Sequence, residues 1–122
     1  MAGTVTVTES TFSPVKKVKW TWTSAAGGAA DLITTKAYFG QVVALVTIPA
    51  AAGDAPDDNY DITITDAEGY DVMQGAGANR DTANTETAVP TAYSVAHGTL
   101  TLNVSAAGSA NSGTAILYIK GS

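Results

Sequence analysis

The segment QGAGANRDTANTE, residues 74–86, contains the residue types that phosphate, metal and catalytic loops use. A dinucleotide-binding loop needs glycines spaced G-x-G-x-x-G at the start of a helix. Gly75 and Gly77 satisfy the first two positions, but Arg80 occupies the third. A P-loop ends in Gly-Lys-Ser or Gly-Lys-Thr, and this segment has no lysine. The spacing therefore argues against a phosphate site, and we predict no bound cofactor.

Carboxylates are concentrated in two short segments, DAPDDNYD at 54–61 and DAEGYD at 66–71. A calcium loop of the EF-hand type needs alternating oxygen ligands, a glycine at the sixth position and a glutamate at the twelfth. Neither segment has this pattern. Aspartate and glycine also favour β-turns, because an aspartate side chain accepts hydrogen bonds from nearby backbone amides. We predict turns at both places and no metal site, with a cation site as the alternative.

The residues of known hydrolytic active sites do not form a recognisable set in this chain. His97 is the only histidine, no serine lies in a G-x-S-x-G segment, and cysteine is absent. Two glycosidase carboxylates could still meet in space, but aromatic sugar platforms would be expected beside them. Trp20 and Trp22 instead alternate on one strand, as core residues do. We predict no catalytic residues and expect that the chain is not an enzyme.

An alternation of apolar and polar residues runs through most of the chain, and no apolar pattern of helical period persists. This period and the enrichment in Thr, Val, Ile and Tyr are typical of strands. The predicted strands and hairpins lie at 4–10, 15–24, 33–50 (two strands around Phe39, Gly40 and Gln41), 60–73 (a hairpin turning at 67–69), 91–98 and 99–121 (a last hairpin around SANS). We predict one domain, residues 1–122, folded as an all-β antiparallel β-sandwich of seven or eight short strands with two long loops.

The inward-facing positions of these strands predict the core. They are Trp20 or Trp22, Val43, Leu45, Ile62, Ile64, Leu100, Leu102, Ile116 and Tyr118. A chain of 122 residues with 45% hydrophobic residues is long enough to bury such a core without disulfides.

Two loops, 49–59 and 74–90, are longer than a compact sandwich needs. Long loops in such a domain are usually functional or make contacts, because ordering them costs entropy. Glycine permits a close approach of the backbone to a neighbouring molecule. We therefore predict that a partner contacts Gly75, Gly77, Asn79, Arg80 and Asp81 in the second loop, and Asp57 and Asp58 in the first.

Arg80 is one of few cations outside the lysine-rich strand at 15–24, and it lies among asparagine and aspartate residues. Such an arginine either holds its own loop through Asp81 or makes a bidentate contact with a carboxylate of a partner. The sequence leaves both alternatives open.

Charged residues make up only 14% of the chain, and the net charge is −5. This balance predicts no nucleic-acid partner, and Lys16, Lys17 and Lys19 are interpreted as a solvated strand face. The start, MAGTVTVTES, has no signal-peptide pattern, and no apolar run reaches the roughly 20 residues of a membrane helix. We expect a protein made in the cytoplasm without a membrane partner. A surface poor in charge suits packing against neighbours.

Five segments follow one another over nearly the whole chain: VKKVKWTWTS, YFGQVVALVTIPA, DNYDITITDAEGYDV, GAGANRDTANTE and LTLNVSAAGSANSGTAILYIKG. In this order they resemble a group of small virion structural proteins of tailed bacteriophages. NYDITITDAEGYDV and GAGANRDTANTE are the most specific pieces. The group is associated with head genes and is similar to small head decoration (cement) or minor capsid proteins.

The resemblance implies a decoration protein on the capsid surface of the virion, which stabilises the head by non-covalent contacts. Its expected partners are the major capsid protein and further copies of itself in a homo-oligomer, and the resemblance brings no catalytic residue. Two alternatives stay open. One is a tail, neck or adhesion component of a phage, and the other is a carbohydrate-binding β-sandwich module that displays Tyr38, Tyr60 or Tyr70.

Overall fold

The computed structural model describes residues 3–12, 14–51 and 53–121, and no helix occurs within these ranges. The strands are β1 (Thr4–Phe12), β2 (Val15–Thr23), β3 (Ala30–Ile33), β4 (Tyr38–Pro49), β5 (Asp61–Thr65), β6 (Glu86–Ala88), β7 (Val95–Gly98), β8 (Thr101–Ser105) and β9 (Ser112–Lys120). All strand pairs are antiparallel. The predicted all-β antiparallel sandwich is confirmed, with nine strands in these ranges. The sequence pattern missed β6 and all but the last residue of β3, and the second arm of the hairpin predicted at 60–73 is not a regular strand.

The strands form two sheets that enclose one hydrophobic core. The larger sheet has the order β1-β2-β9-β4, and the far edge of β4 pairs with β7 along its first part and with β6 along its second part. The smaller sheet has the order β3-β8-β5. β4 lies inside the larger sheet, as the nearly continuous apolar run VVALVTI predicts.

β4 is one continuous strand, so the predicted division into two strands around Gly40 is wrong. Glycine at this place indicated a break, but it allows a close approach of two strands instead: a Cβ on Gly40 would lie 2.5 Å from the carbonyl oxygen of Lys120 on β9. The register of β4 against β9 then shifts between Val42 and Ala44. This bulge turns Val43 outward, which explains why the predicted core residue Val43 is 43% exposed.

Most of the predicted core is confirmed. Trp20, Trp22, Leu45, Ile62, Ile64, Leu100 and Leu102 are at most 1% exposed and belong to the core cluster. On β9, however, Leu117 and Ile119 face the core, so their neighbours Ile116 and Tyr118 point to the outer side of the sheet. Ile116 is still buried there, whereas Tyr118 is only half-buried, and its assignment to the core was wrong.

Small residues on β9 make room for the tryptophans of β2. Trp22 pairs with Gly113 and Trp20 pairs with Ala115. A Cβ on Gly113 would lie 2.6 Å from the ring atom Cζ2 of Trp22. Because both indoles are buried, neither ring could move aside without disturbing the core.

The predicted last hairpin is wrong, because β8 and β9 belong to different sheets. Their connection crosses from the smaller to the larger sheet. The side-chain amide of Asn111 holds it by donating to the carbonyl of Ala107 (2.7 Å), and Ala106 and Ala110 adopt positive φ. Gly, Ser and Asn occur both in hairpin turns and in connections between two sheets. The composition of this segment therefore did not distinguish a hairpin from a connection between sheets.

Candidate functional site

The two long loops lie against each other at one end of the sandwich. The amide of Asn59 donates to the carbonyl of Arg80 (3.0 Å), and the amide of Thr82 donates to Oδ1 of Asp58 (3.3 Å). The hydroxyl of Thr82 also donates to the carbonyl of Pro56. We call residues 49–59 and 74–85 the paired loops. The two loops predicted to contact a partner therefore lie side by side.

The glycine-rich segment covers the edge of β5, which is an outer strand of the smaller sheet. The amide of Ile62 donates to the carbonyl of Gly77 (2.9 Å), and the amide of Arg80 donates to the carbonyl of Tyr60 (2.7 Å). Nearer the turn, the amide of Val72 donates to the carbonyl of Ile64 (2.8 Å). The segment thus takes the place of a further strand and satisfies backbone groups that an open edge would leave unpaired.

Gly77 is buried, and its carbonyl accepts the hydrogen bond from the amide of Ile62 at the edge of β5. A Cβ at this position would collide with the carbonyl oxygen of Ile62. The close approach predicted for this glycine therefore occurs, but toward its own β5. A contact between Gly77 and a partner stays a prediction, and its burial leaves it little surface for one.

Gly75 and Asn79 lie at the exposed turns of the segment, and both have positive φ, +84° and 57°. Each turn is held by a carboxylate. The amide of Gly75 donates to Oδ2 of Asp71 (2.9 Å), and the amide of Asn79 donates to Oδ1 of Asp61 (2.9 Å). Both residues are thus fixed in place at the surface, and their contact with a partner stays a prediction.

Asp71 is a residue whose role the sequence interpretation missed. Its Oδ1 accepts hydrogen bonds from the amides of Ile64 (3.2 Å) and Met73 (3.1 Å). With the bond from Gly75, one carboxylate thus joins β5 to the segment that covers it. The aspartate two residues before Met73 and four before Gly75 is the signal that could have revealed it, since aspartate commonly accepts from the amide two positions later.

Arg80 holds its own loop, but not through Asp81 as the sequence suggested. Its Nε and Nη2 donate to the carbonyl of Ala78 (3.2 and 3.1 Å), and its Nη1 lies 3.5 Å from Oε1 of Glu86. The side chain is 16% exposed. Asp81 was a poor partner because its carboxylate caps the following turn. A contact of Arg80 with a partner stays a prediction.

Asp81 stabilises the turn that follows it. Its carboxylate accepts hydrogen bonds from the amide of Ala83 (3.0 Å) and from the side chain of Asn84 (2.7 Å). These bonds favour the charged form and lower the pKa of Asp81. Asp57 and Asp58 are exposed on the neighbouring loop. The paired loops therefore present a surface with several carboxylates and no unengaged arginine.

A concave, mostly apolar pocket lies between the paired loops. Its volume is about 450 Å³, and it is lined by Pro49, Ala50, Ala51, Ala55, Thr82 and Ala83. Of these side chains only Thr82 is polar, and its hydroxyl is engaged by Pro56. The pocket is suited to an apolar group rather than to a reacting substrate.

The other chemical candidates do not assemble into a site among the described residues. No three His, Asp or Glu side chains there converge as metal ligands would. At 66–71, Oδ1 of Asp66 accepts from the amides of Glu68 (2.9 Å) and Tyr70 (3.2 Å), as predicted for a turn. The exposed ring of His97 packs edge-on against Phe39, with ring centroids 5.2 Å apart.

Glu9 on β1 forms a second polar cluster, which the sequence interpretation did not foresee. Its carboxylate accepts hydrogen bonds from the hydroxyl of Thr35 (2.6 Å), the amide of Lys36 (3.1 Å) and the hydroxyl of Tyr38 (2.8 Å), with a longer one from the amide of Thr35. Burial alone would raise the pKa of Glu9, but these bonds together lower it. The cluster ties β1 to the turn before β4.

Comparison with known protein families, with curated proteins and with solved structures gives no match for this chain. In the described ranges, no helix is long and apolar enough to cross a membrane.

The variant Arg80→Ala tests whether Arg80 holds its own loop. Loss of the bonds to Ala78 and Glu86 is expected to lower the free energy of unfolding by about 1–2 kcal/mol, measured by urea denaturation of the isolated protein. The control Arg80→Lys keeps the charge near Glu86 but lacks the planar fork of the guanidinium. Its free energy of unfolding should therefore lie between those of the wild type and Arg80→Ala. An Arg80→Ala protein as stable as the wild type would contradict this role.

Protonation of Glu9 is expected to weaken the fold in acid. Because the folded-state pKa is lowered, the stabilisation is present above the ordinary carboxyl pKa of about 4.3 and is lost as the pH falls through the folded-state value. Glu9→Gln should therefore lower the free energy of unfolding by about 1 kcal/mol at neutral pH and progressively less as the pH falls below the ordinary carboxyl range.

The matched control is Glu68→Gln, whose exposed carboxylate accepts no hydrogen bond among the described residues. Urea denaturation of both variants at several pH values gives the comparison. A Glu9→Gln effect of equal size at neutral and acidic pH would refute the proposed role of the charge.

Proposed function

We propose that the chain is a non-catalytic structural protein of a bacteriophage particle, a head decoration protein that attaches to the outer surface of the capsid. The observation that carries this proposal is the surface formed by the paired loops. It combines exposed carboxylates with an apolar pocket, and among the described residues that line the pocket only Thr82 has a polar side chain, whose hydroxyl is already bonded to Pro56. Such a surface suits binding to another protein. The sequence resemblance to virion proteins indicates the phage particle as the place where this binding would occur.

The internal bonds of the paired loops favour a binding role. Ordering a loop upon binding costs free energy that reduces affinity. Here the turns at Gly75 and Asn79 are already fixed by Asp71 and Asp61, and Arg80 is fixed by Ala78 and Glu86. A partner therefore meets a preformed surface, as a protein that binds many equivalent sites on a shell requires.

The outer side of the larger sheet offers a second contact surface. Phe39, Val43 and Val95 point outward on the first half of β4 and on the neighbouring β7 and are 43% to 51% exposed. Exposed apolar side chains grouped on one face mark interaction sites more often than scattered ones do. A decoration protein needs contacts both with the major capsid protein and with neighbouring copies, and two separate surfaces would meet this need.

The geometry weakens the carbohydrate-binding alternative. A carbohydrate-binding module would display Tyr38, Tyr60 or Tyr70 as an exposed platform for a sugar. However, Tyr38 is 5% exposed and Tyr60 is fully buried. Tyr70 remains at the surface. A tail or neck component would use the same kind of surfaces, so its position in the particle distinguishes it from a decoration protein.

A binding experiment on phage heads that lack the protein tests this proposal. Purified wild-type protein should attach at sites spread over the whole shell, as seen by electron cryo-microscopy. The variant Asp57→Lys should reduce attachment at least about tenfold, since an altered charge in an interface is costly, and it leaves intact the bond that Asp58 accepts from Thr82. The control Glu68→Lys changes an exposed carboxylate in the turn after β5, at the other end of that strand from the first loop, and should attach normally.

Attachment only at one vertex or along the tail would overturn the decoration role in favour of a neck or tail component. Failure of the wild-type protein to attach to any part of the particle would overturn the proposal as a whole.

A further inference from the structure

The register of the strands separates the lysines from the paired loops. β2 begins with Val15 and Lys16, β9 ends with Lys120, and Val15 pairs with Lys120. Gln41, near the start of β4, also pairs with Lys120. The five lysines, Lys16, Lys17, Lys19, Lys36 and Lys120, therefore lie between the middle of the larger sheet and the end where β2 starts. We call this end the lysine end.

The paired loops lie at the opposite end, where β4 ends at Pro49 and β9 begins at Ser112. This end carries Asp54, Asp57, Asp58, Asp81 and Glu86 and a single cation, Arg80, which lies beside Glu86. The lysines are thus concentrated toward one end, where Glu9 and the turn with Asp66 and Glu68 also lie, whereas the loop end has one cation among several carboxylates. Such a distribution attracts the lysine end of one copy to the loop end of another, despite the net negative charge.

An exposed aromatic residue lies at the lysine end. Phe12 is the last residue of β1, pairs with Val15 across the β1–β2 turn, and is 61% exposed. Lys17 pairs with Ser10 and shares a face of the hairpin with Phe12, whereas Lys16 lies on the other face and its ammonium donates to the carbonyl of Gly121 (2.9 Å). The tip of this hairpin therefore presents a large apolar side chain on the same face as the positive charge of Lys17.

The pocket between the paired loops has the complementary properties. Its wall is formed mainly by alanines, and its volume of about 450 Å³ is sufficient for an aromatic ring. Asp54 directly precedes the lining residue Ala55, and Asp81 directly precedes the lining residue Thr82. An apolar pocket with acidic neighbours is suited to an apolar group that is flanked by cations.

We propose that Phe12 of one copy inserts into the alanine-lined pocket of a second copy, while lysines of the first copy meet the carboxylates beside that pocket. The contact joins two different surfaces, so it is heterologous and leads to open chains or rings of copies rather than to a closed twofold dimer. This inference deepens the proposed function and rests on it in one respect, namely that the protein works as many adjacent copies.

Two variants that each remove one half of the contact test the proposal. Phe12→Ser removes the apolar anchor, and Ala83→Trp fills the pocket from its rim. Each should weaken self-association at least about tenfold, the effect expected of a central aromatic anchor. Sedimentation velocity over a concentration series measures this, and wild-type association should weaken as added salt screens the charges.

Mixing the two variants gives the decisive result. The Phe12→Ser protein keeps an open pocket, and the Ala83→Trp protein keeps its anchor. Together they should form a one-to-one complex that grows no further, because each then lacks the surface for a second contact. Val89→Ser, which removes another apolar side chain of 62% exposure, and Ala26→Trp, at an exposed alanine outside the pocket, should associate as the wild type does. Far-UV circular dichroism confirms that each variant is folded.

The proposal is overturned if the wild-type protein stays monomeric at low salt, if either variant associates normally, or if the mixed variants fail to combine. Attachment to phage heads in the same preparations separates the two claims. A monomeric protein that still attaches to heads overturns this contact alone. A protein that associates through Phe12 but attaches to no part of the particle overturns the proposed function alone.

Discussion

The pairing of the β5 edge by the segment that follows it is the interaction on which the rest of this structure depends. β5 is short, and its outer edge would leave backbone amides and carbonyls without partners. Main-chain bonds from Ile62 to Gly77 and from Arg80 to Tyr60 close this edge without a regular strand. Because the covering segment is then fixed along its length, the turns and carboxylates that it carries have defined positions.

The same pairing explains why the loops lie together. Asn59 donates to Arg80 just before β5 begins, so the end of the first loop is bonded to the middle of the second. Asp58 and Pro56 then accept hydrogen bonds from Thr82. These bonds hold together the two loops that line the pocket. The proposed binding surface thus arises from residues needed to complete a sheet. The glycine that looked suited to contact with a partner, Gly77, is needed inside the domain, while the surface itself is formed by exposed aspartates and alanines.

Sequence periodicity was sufficient for the fold class and for most of the core, because burial in a two-sheet protein imposes alternation on each strand. It was insufficient where backbone geometry breaks that alternation. The bulge beside Val43 reverses one side chain without any change in the apolar pattern, and Gly40 lies inside a strand because of the nearby carbonyl of Lys120. The partner of Arg80 was not predictable either. Glu86 is more distant in sequence than Asp81, and only the fold of the loop places it near the guanidinium.

Amide hydrogen exchange of the isolated protein is the most direct test of the account. The amides of Ile62 and Arg80 are bonded between β5 and the covering segment, so they should exchange about as slowly as the amides of β8 in the centre of the smaller sheet. Exchange of the Arg80 amide at the rate of an unstructured peptide, with β8 still protected, would contradict it. The paired loops would then be ordered only by a partner, and the preformed surface would not exist in the free protein.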